Sequence, residues 1–181
     1  MKKVVLNFEI DRPFGNLLRP RHALIACRDS DGFFILGKKD SYPGFSRFAG
    51  GGVDEGEEPR HAAARELEEE LGVCLPESDF VELFEIEAHA KGLEDEYRTQ
   101  IFVYFVELQT NEVVPQDDLD GIERLRLAQF PDLVKKYESF SPDFRSSGGN
   151  KGDDGFRWLD YGKLYGPVHR IAHDEIVERH L

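Results

Sequence analysis

The chain has 181 residues, enough for one domain with a sizeable core, and its 40% hydrophobic and 33% charged content is that of a folded, soluble protein. Its formal net charge of −13 argues against binding nucleic acid or an acidic membrane through a basic surface. It does not exclude an anionic substrate, because metal ions can bridge two negative groups.

The N-terminal run MKKVVLNFEIDRP is interrupted by Glu9 and Asp11 too early for a signal peptide, and no apolar stretch approaches the length of a membrane span. The two cysteines, Cys27 and Cys74, make no disulfide framework. Both have apolar neighbours and are expected as buried free thiols, with a cytoplasmic location as the default. Residues 4–10 alternate as an edge strand does. After the breakers Pro13, Gly15 and Pro20, His22 to Cys27 reads as a buried strand, Asp29 to Gly32 as a hairpin turn and Phe33 to Gly37 as the partner strand. Lys38 to Phe48 reads as a loop that runs into a glycine-rich segment, and a helix follows Pro59.

Phe80 to His89 is the next expected strand, and Lys91 to Glu96 a charged turn. Arg98 to Leu108 carries Ile101, Val103 and Phe105 on one face and Phe102, Tyr104 and Val106 on the other. Such two-sided apolarity predicts a central strand. Asn111 to Gly121 is an acidic loop. Ile122 to Leu127 reads as a short strand or the start of a helix, and Pro131 to Phe140 as a helix. Ser146 to Gly155 is a loop, Phe156 to Leu159 a last strand, and Pro167 to Leu181 a closing helix. Strands on both sides of a helix, with further helices at the end, predict an α/β fold with a mixed sheet covered on both faces.

The segment Gly51 to Val73, GGVDEGEEPRHAAARELEEELGV, carries the chemistry. Pro59 suits a first helical turn and Gly72 a left-handed stop. At 3.6 residues per turn, Glu66, Glu69 and Glu70 share a face, next to an apolar face of Ala63, Ala64, Leu67 and Leu71, with Glu68 toward water. Glu66 and Glu70 are like charges four residues apart and repel, so a positive group is expected between them. Carboxylate oxygens in that number suit Mg²⁺ or Mn²⁺ and not zinc.

The order is glycine, five residues, Glu57, seven residues, Arg65-Glu66-Leu67, one residue, Glu69-Glu70, one residue, Gly72-Val73. It resembles the Nudix box of the Nudix hydrolases at every defined position. The resemblance implies an α/β/α sandwich with the box helix on a mixed sheet, a core over roughly residues 20–165 of a single domain spanning 1–181, and an insertion at about 130–155. It implies Mg²⁺ or Mn²⁺ held by Glu69 and Glu70, by the Gly50 carbonyl, and by Glu66 as ligand or as base. Arg65 would pair with Glu57 and orient these carboxylates. The implied activity is cleavage of a nucleoside diphosphate linked to another group, a small-molecule substrate, with neither nucleic acid nor membrane as partner. A homodimer is common in the family.

Members of the family often use a further acid beyond the box. Asp117, Asp118, Asp120 and Glu123 lie in that region, with Glu123 and Asp120 ranked first; Asp153 or Asp154 takes the place if the family pattern ends at Phe156 to Leu159. Ala49 stands where the family usually has proline, and the secondary signatures for particular substrates are mostly missing. Tyr42, Phe45, Tyr97 and Trp158 are candidates for base stacking, although aromatics are more often core. Arg47 and Arg98 are candidates for phosphate contact, with surface arginine as the plain alternative. His169 and His173, four apart, have metal-ligand spacing but lack the glutamate of a zinc protease motif; exposed helix histidines are the better reading. Two other functions compete: a non-catalytic nucleotide-sensing module, and an isopentenyl-diphosphate isomerase-like enzyme, which would want a catalytic cysteine where Cys27 reads as strand core.

Overall fold

A computed structural model describes residues 2–117, 119–147 and 154–181, with the side chain of residue 154 outside that description. Among these residues, seven strands form one sheet: β1 (Lys2–Glu9), β2 (Arg21–Arg28), β3 (Phe34–Lys38), β4 (Arg47–Gly52), β5 (Val81–Lys91), β6 (Glu96–Glu107) and β7 (Gly121–Leu125). Their order is β1-β5-β6-β2-β4-β3-β7. The sheet is mixed, because β1 runs parallel to β5 and β2 parallel to β6 while the remaining pairs are antiparallel.

Helix α1 (Pro59–Leu71) lies on one face, where its Ala62, Ala63, Leu67 and Leu71 bury against Ala23, Ile25, Ala49, Tyr104 and Val106. Helices α2 (Phe130–Glu138) and α3 (Trp158–Arg179) cover the other face, with Leu24, Phe34, Phe48, Ile101, Val103 and Phe105 beneath them. The alternation of β6 sends its two apolar sets into these two cores, which is why no polar face survives on that strand. A small hairpin, β8 (Arg145–Ser147) and β9 (Asp154–Arg157), completes the fold. The result is the expected α/β/α sandwich. Among the described residues, no helix is long and apolar enough to cross a membrane.

Several expectations need correction. The segment before the box is not a loop throughout, since Arg47 to Gly52 is strand β4, inserted between β2 and β3. Its glycines hid a strand whose pairing is enforced by neighbours on both sides and not by its own side chains. Residues 122–125 settle as strand, because β7 closes the sheet edge against β3. The last strand ends at Arg157, and helix begins at Trp158, nine residues before Pro167. Pro167 sits inside α3 because the apolar stripe Trp158, Tyr161, Leu164, Tyr165, Val168, Ala172 and Ile176 is buried along its length, outweighing one missing N–H. Gly162 in that helix lies so close to the Tyr137 carbonyl of α2 that no Cβ fits. Of the cysteines, Cys27 is buried but Cys74 is exposed.

Candidate functional site

Strand β4 and helix α1 build the site. The β4 backbone turns at Gly50, where φ is +130°, and a Cβ there would press into the Ala23 carbonyl of β2. The Gly50 N–H donates to Glu70 Oε2 at 2.7 Å, so the one fully buried box carboxylate is tied to the strand. A Cβ on Gly51 would lie 2.5 Å from the Glu66 carboxylate. Gly50 therefore lets β4 lie against β2, and Gly51 lets it approach the acidic face of α1.

Arg65 uses all of its N–H donors. Nε and Nη2 donate to Glu57 at 3.1 and 3.2 Å, Nη2 also donates to the Gly52 carbonyl at 2.9 Å, and Nη1 donates to Glu66 and Glu69, each at 2.9 Å. The clamp between Glu57 and Arg65 thus exists. It holds the Glu57 carboxyl below the usual carboxylate range. Glu57 in turn accepts from the Asp54 N–H at 2.9 Å, which fastens the loop between β4 and α1. Burial raises the Glu66 carboxyl despite Arg65 beside it.

Of the two glutamates between which a positive group is expected, Glu66 accepts from the Arg65 guanidinium and Glu70 from the Gly50 N–H. Among the described residues no three His, Cys, Asp or Glu side chains converge on one point as metal ligands. Glu66 and Glu69 turn toward Arg65, while Glu70 turns toward Gly50. The donor chemistry nevertheless fits a hard divalent ion: carboxylates on one helical face, a glycine at 51 that leaves Glu66 room, and the Gly50 carbonyl at the same strand end.

The acids outside the box are dispersed. Glu123 of β7 stands opposite Leu36, which stands opposite Phe48, on the α2–α3 side of the sheet. Its carboxylate accepts from Ser46 Oγ at 2.6 Å. Asp120 accepts from the Asp40 N–H at 2.7 Å and ties down a loop. Asp117 is exposed in a turn with φ +51°. Asp118, Asp153 and the side chain of Asp154 lie outside the described residues.

Other candidates move too. Phe45 and Trp158 are buried, and with the half-buried Tyr42 they form an aromatic cluster under α3. His169 is buried between Phe48 and Tyr137, with its Nδ1 bonded to the Tyr165 carbonyl at 2.7 Å. It is therefore neither an exposed histidine nor half of a metal pair with His173, whose Nδ1 faces Asp174 at 2.9 Å. Tyr97 and Arg98 line an open cleft of about 330 Å³ with Asn7, His89 and Lys91, on the β1–β5–β6 side of the sheet. Arg47 is a buried arginine, not a surface one.

Two residues were missed in the sequence. Arg21 donates to the Glu57 carbonyl at 3.2 Å, and Arg19 lies against Gly52 with its charge acting on Glu66. The signal available for both was a basic pair leading into β2, the strand beside the box glycines.

The NUDIX domain family matches residues 18–144. The chain belongs to that family. The match supports a hydrolase acting on anhydrides. Among solved structures, the chain is similar to an Ap4A hydrolase from C. elegans, at 16% identity, TM-score 0.54, covering 88% of this chain and 98% of that one. It is also similar to the E. coli dihydroneopterin triphosphate pyrophosphohydrolase, at 18% identity, TM-score 0.51, covering 65% and 85%. A MutT/nudix family protein from Enterococcus faecalis matches at 15% identity and TM-score 0.48 over 59% of this chain, which spans 43% of that protein's length. At these identities the likeness to the first two is one of fold. No curated relative matches this Nudix protein in sequence.

Proposed function

We propose that this Nudix protein is a divalent-metal-dependent pyrophosphohydrolase that cleaves a nucleoside diphosphate linked to another group. The observation that carries the reading is the contact of the box helix with the glycine strand: Glu70 on the Gly50 N–H, Glu66 against Gly51, and Arg65 joining Glu57, Glu66 and Glu69. Glu66, Glu69, Glu70 and the Gly50 carbonyl would hold Mg²⁺ or Mn²⁺. Such an ion neutralises the diphosphate charge and lowers the pKa of a bound water.

The chain supplies the remainder. Arg65 orients the carboxylates through its fixed fork of donors. Glu66, set against Gly51 and beside Arg65, would serve as a ligand or as the base that takes the proton of the attacking water. Arg19 and Arg21, at the rim beside Gly52 and Glu57, give the phosphates a positive approach. Glu123 would serve as a further acid only for a substrate that reaches the Ser46 side of β4. Two free cysteines accord with a reducing, cytoplasmic setting. Cys27 counts against an isomerase-like use of the fold, because it is buried in strand β2 and burial pushes its thiol up, away from the reactive thiolate.

The test is a panel of nucleoside triphosphates, nucleotide sugars, ADP-ribose and dinucleoside polyphosphates with Mg²⁺ or Mn²⁺, reading release of phosphate or nucleoside monophosphate. Glu69→Gln keeps the size of an exposed side chain and removes its charge. It should lower kcat/KM on any substrate found by on the order of a hundredfold or more. Unchanged hydrolysis by that variant sinks the assignment. A parent protein that turns over nothing in the panel but binds one of its members is instead a nucleotide-sensing module.

A further inference from the structure

Helix α3 lies beyond residue 144, where the family match ends, yet it reaches the box. The link is Arg47, which is 6% exposed and lies among aromatic rings. Its Nη1 donates to the hydroxyls of Tyr165, at 3.3 Å, and of Tyr161, at 3.5 Å. These tyrosines stand one helical turn apart on α3 with their rings stacked at 4.4 Å, and the guanidinium sits over the Tyr165 ring at 5.4 Å. The Nη2 of Arg47 donates to the Gly50 carbonyl at 3.3 Å, and Nε has no hydrogen-bond partner among the described residues.

Burying a guanidinium without full pairing is costly, so packing alone is a poor reason for it. Its position supplies a reason. Gly50 has the most permissive backbone of any residue type and stands at φ +130°, so nothing intrinsic fixes where its carbonyl points. Two ties fix it from outside: Glu70 of α1 holds its N–H, and Arg47, itself held by α3, holds its carbonyl. We infer that Arg47, with Tyr161 and Tyr165, is a positioning residue that aims the Gly50 carbonyl and thereby couples α3 to the metal-binding face of the box. This inference rests on the proposed reading of Gly50 and Glu70 as metal ligands.

Binding of Mn²⁺ alone, followed by loss of the free-ion EPR signal, tests it without substrate. The double variant Tyr161→Phe/Tyr165→Phe removes two hydroxyls and no charge, and Arg47→Met keeps the aliphatic stem and removes the fork. The tyrosine variant should bind Mn²⁺ roughly tenfold more weakly than the parent, the scale found when groups that orient metal ligands are removed. Its melting curve in EDTA should stay close to that of the parent. Arg47→Met should weaken binding at least as much, although one repelling cation has been removed. Parent-like Mn²⁺ affinity in the folded tyrosine variant overturns the inference. So does tighter binding by Arg47→Met, which would make Arg47 a mere charge near the ion. If Arg47→Met does not fold, the tyrosine variant decides alone. A parent that binds no Mn²⁺ removes the metal reading and this inference with it, whereas a binding parent with unaffected variants removes only the inference.

Discussion

Replacing Gly50 by alanine should destabilise the protein by roughly 4 kcal/mol, a loss confined to a few backbone mechanisms. Two of them act together at this position. The backbone stands at φ +130°, which an L side chain rarely adopts. The new Cβ would also be driven into the Ala23 carbonyl and the Leu24 Cα, both main-chain atoms of the paired strand β2 that cannot swing aside. For a domain of this size such a loss lowers Tm by roughly 10 °C. Gly56→Ala is the control. Its φ is +79° and its surroundings are open, so only the conformational cost, about 1 kcal/mol, applies. Thermal melts of the two variants side by side separate the terms. A Gly50→Ala protein that melts with Gly56→Ala would mean that β2 and β4 part easily, and the rigid frame described for Glu70 would be lost. Where the variant stays folded, it should also lose the Mn²⁺ binding proposed for this site, because the Gly50 N–H and carbonyl cannot both keep their partners.

Acidification from pH 7 toward pH 4 should weaken the fold through two histidines. His22 and His169 are both buried, and burial, with smaller contributions from Arg47 nearby, pulls each down to about 4 from an ordinary 6.5. Their hydrogen bonds explain the neutral state. His22 Nε2 faces the Asn16 carbonyl at 2.6 Å and His169 Nδ1 faces the Tyr165 carbonyl at 2.7 Å, so these nitrogens carry the protons. The other nitrogen of each ring is buried without a partner among the described residues, and a proton placed there would find no acceptor among them. Between pH 6.5 and 4 the unfolded chain binds two protons that the folded chain does not, so stability falls as pH falls through that window. Each histidine contributes on the order of 3 kcal/mol when the window has been crossed. Glu57, whose folded-state carboxyl is depressed by Arg65, adds its loss only below pH 4.5. Glu66, raised by burial, acts in the opposite sense. Urea unfolding at pH 7.5 and 5 reads the slope, and His169→Phe, which keeps the stack on Phe48 and Tyr137, should roughly halve it. A stability that is flat from pH 7 to 5, or a slope unaltered in His169→Phe, would contradict this account.

The box was legible because its information is local. Helix spacing places Glu66, Glu69 and Glu70 on one side, Pro59 and Gly72 punctuate the ends, and the clamp of Arg65 on Glu57 needs only a loop of fixed length. The two-sided apolarity of β6 likewise named an interior strand without knowledge of its neighbours. Strand β4 was not legible, because glycines carry no alternation and its pairing is dictated by β2 and β3. The extent of α3 was not legible either: the closing helix was placed from Pro167, and only the approach of α2 shows why glycines are accommodated at 162 and 166 within it.

The sequence by itself determined the acidic helix, its glycine neighbours and the anhydride chemistry they suit, since these depend on spacing along one segment. Only the tertiary structure decided which groups balance the glutamates. Whereas the pairing of Arg65 with Glu66 and Glu69 is local to the helix, the Gly50 N–H takes Glu70, and Arg47 is braced by tyrosines more than a hundred residues away. Contacts of that range are set by how two layers of helix close on one sheet, and no spacing within the box encodes them.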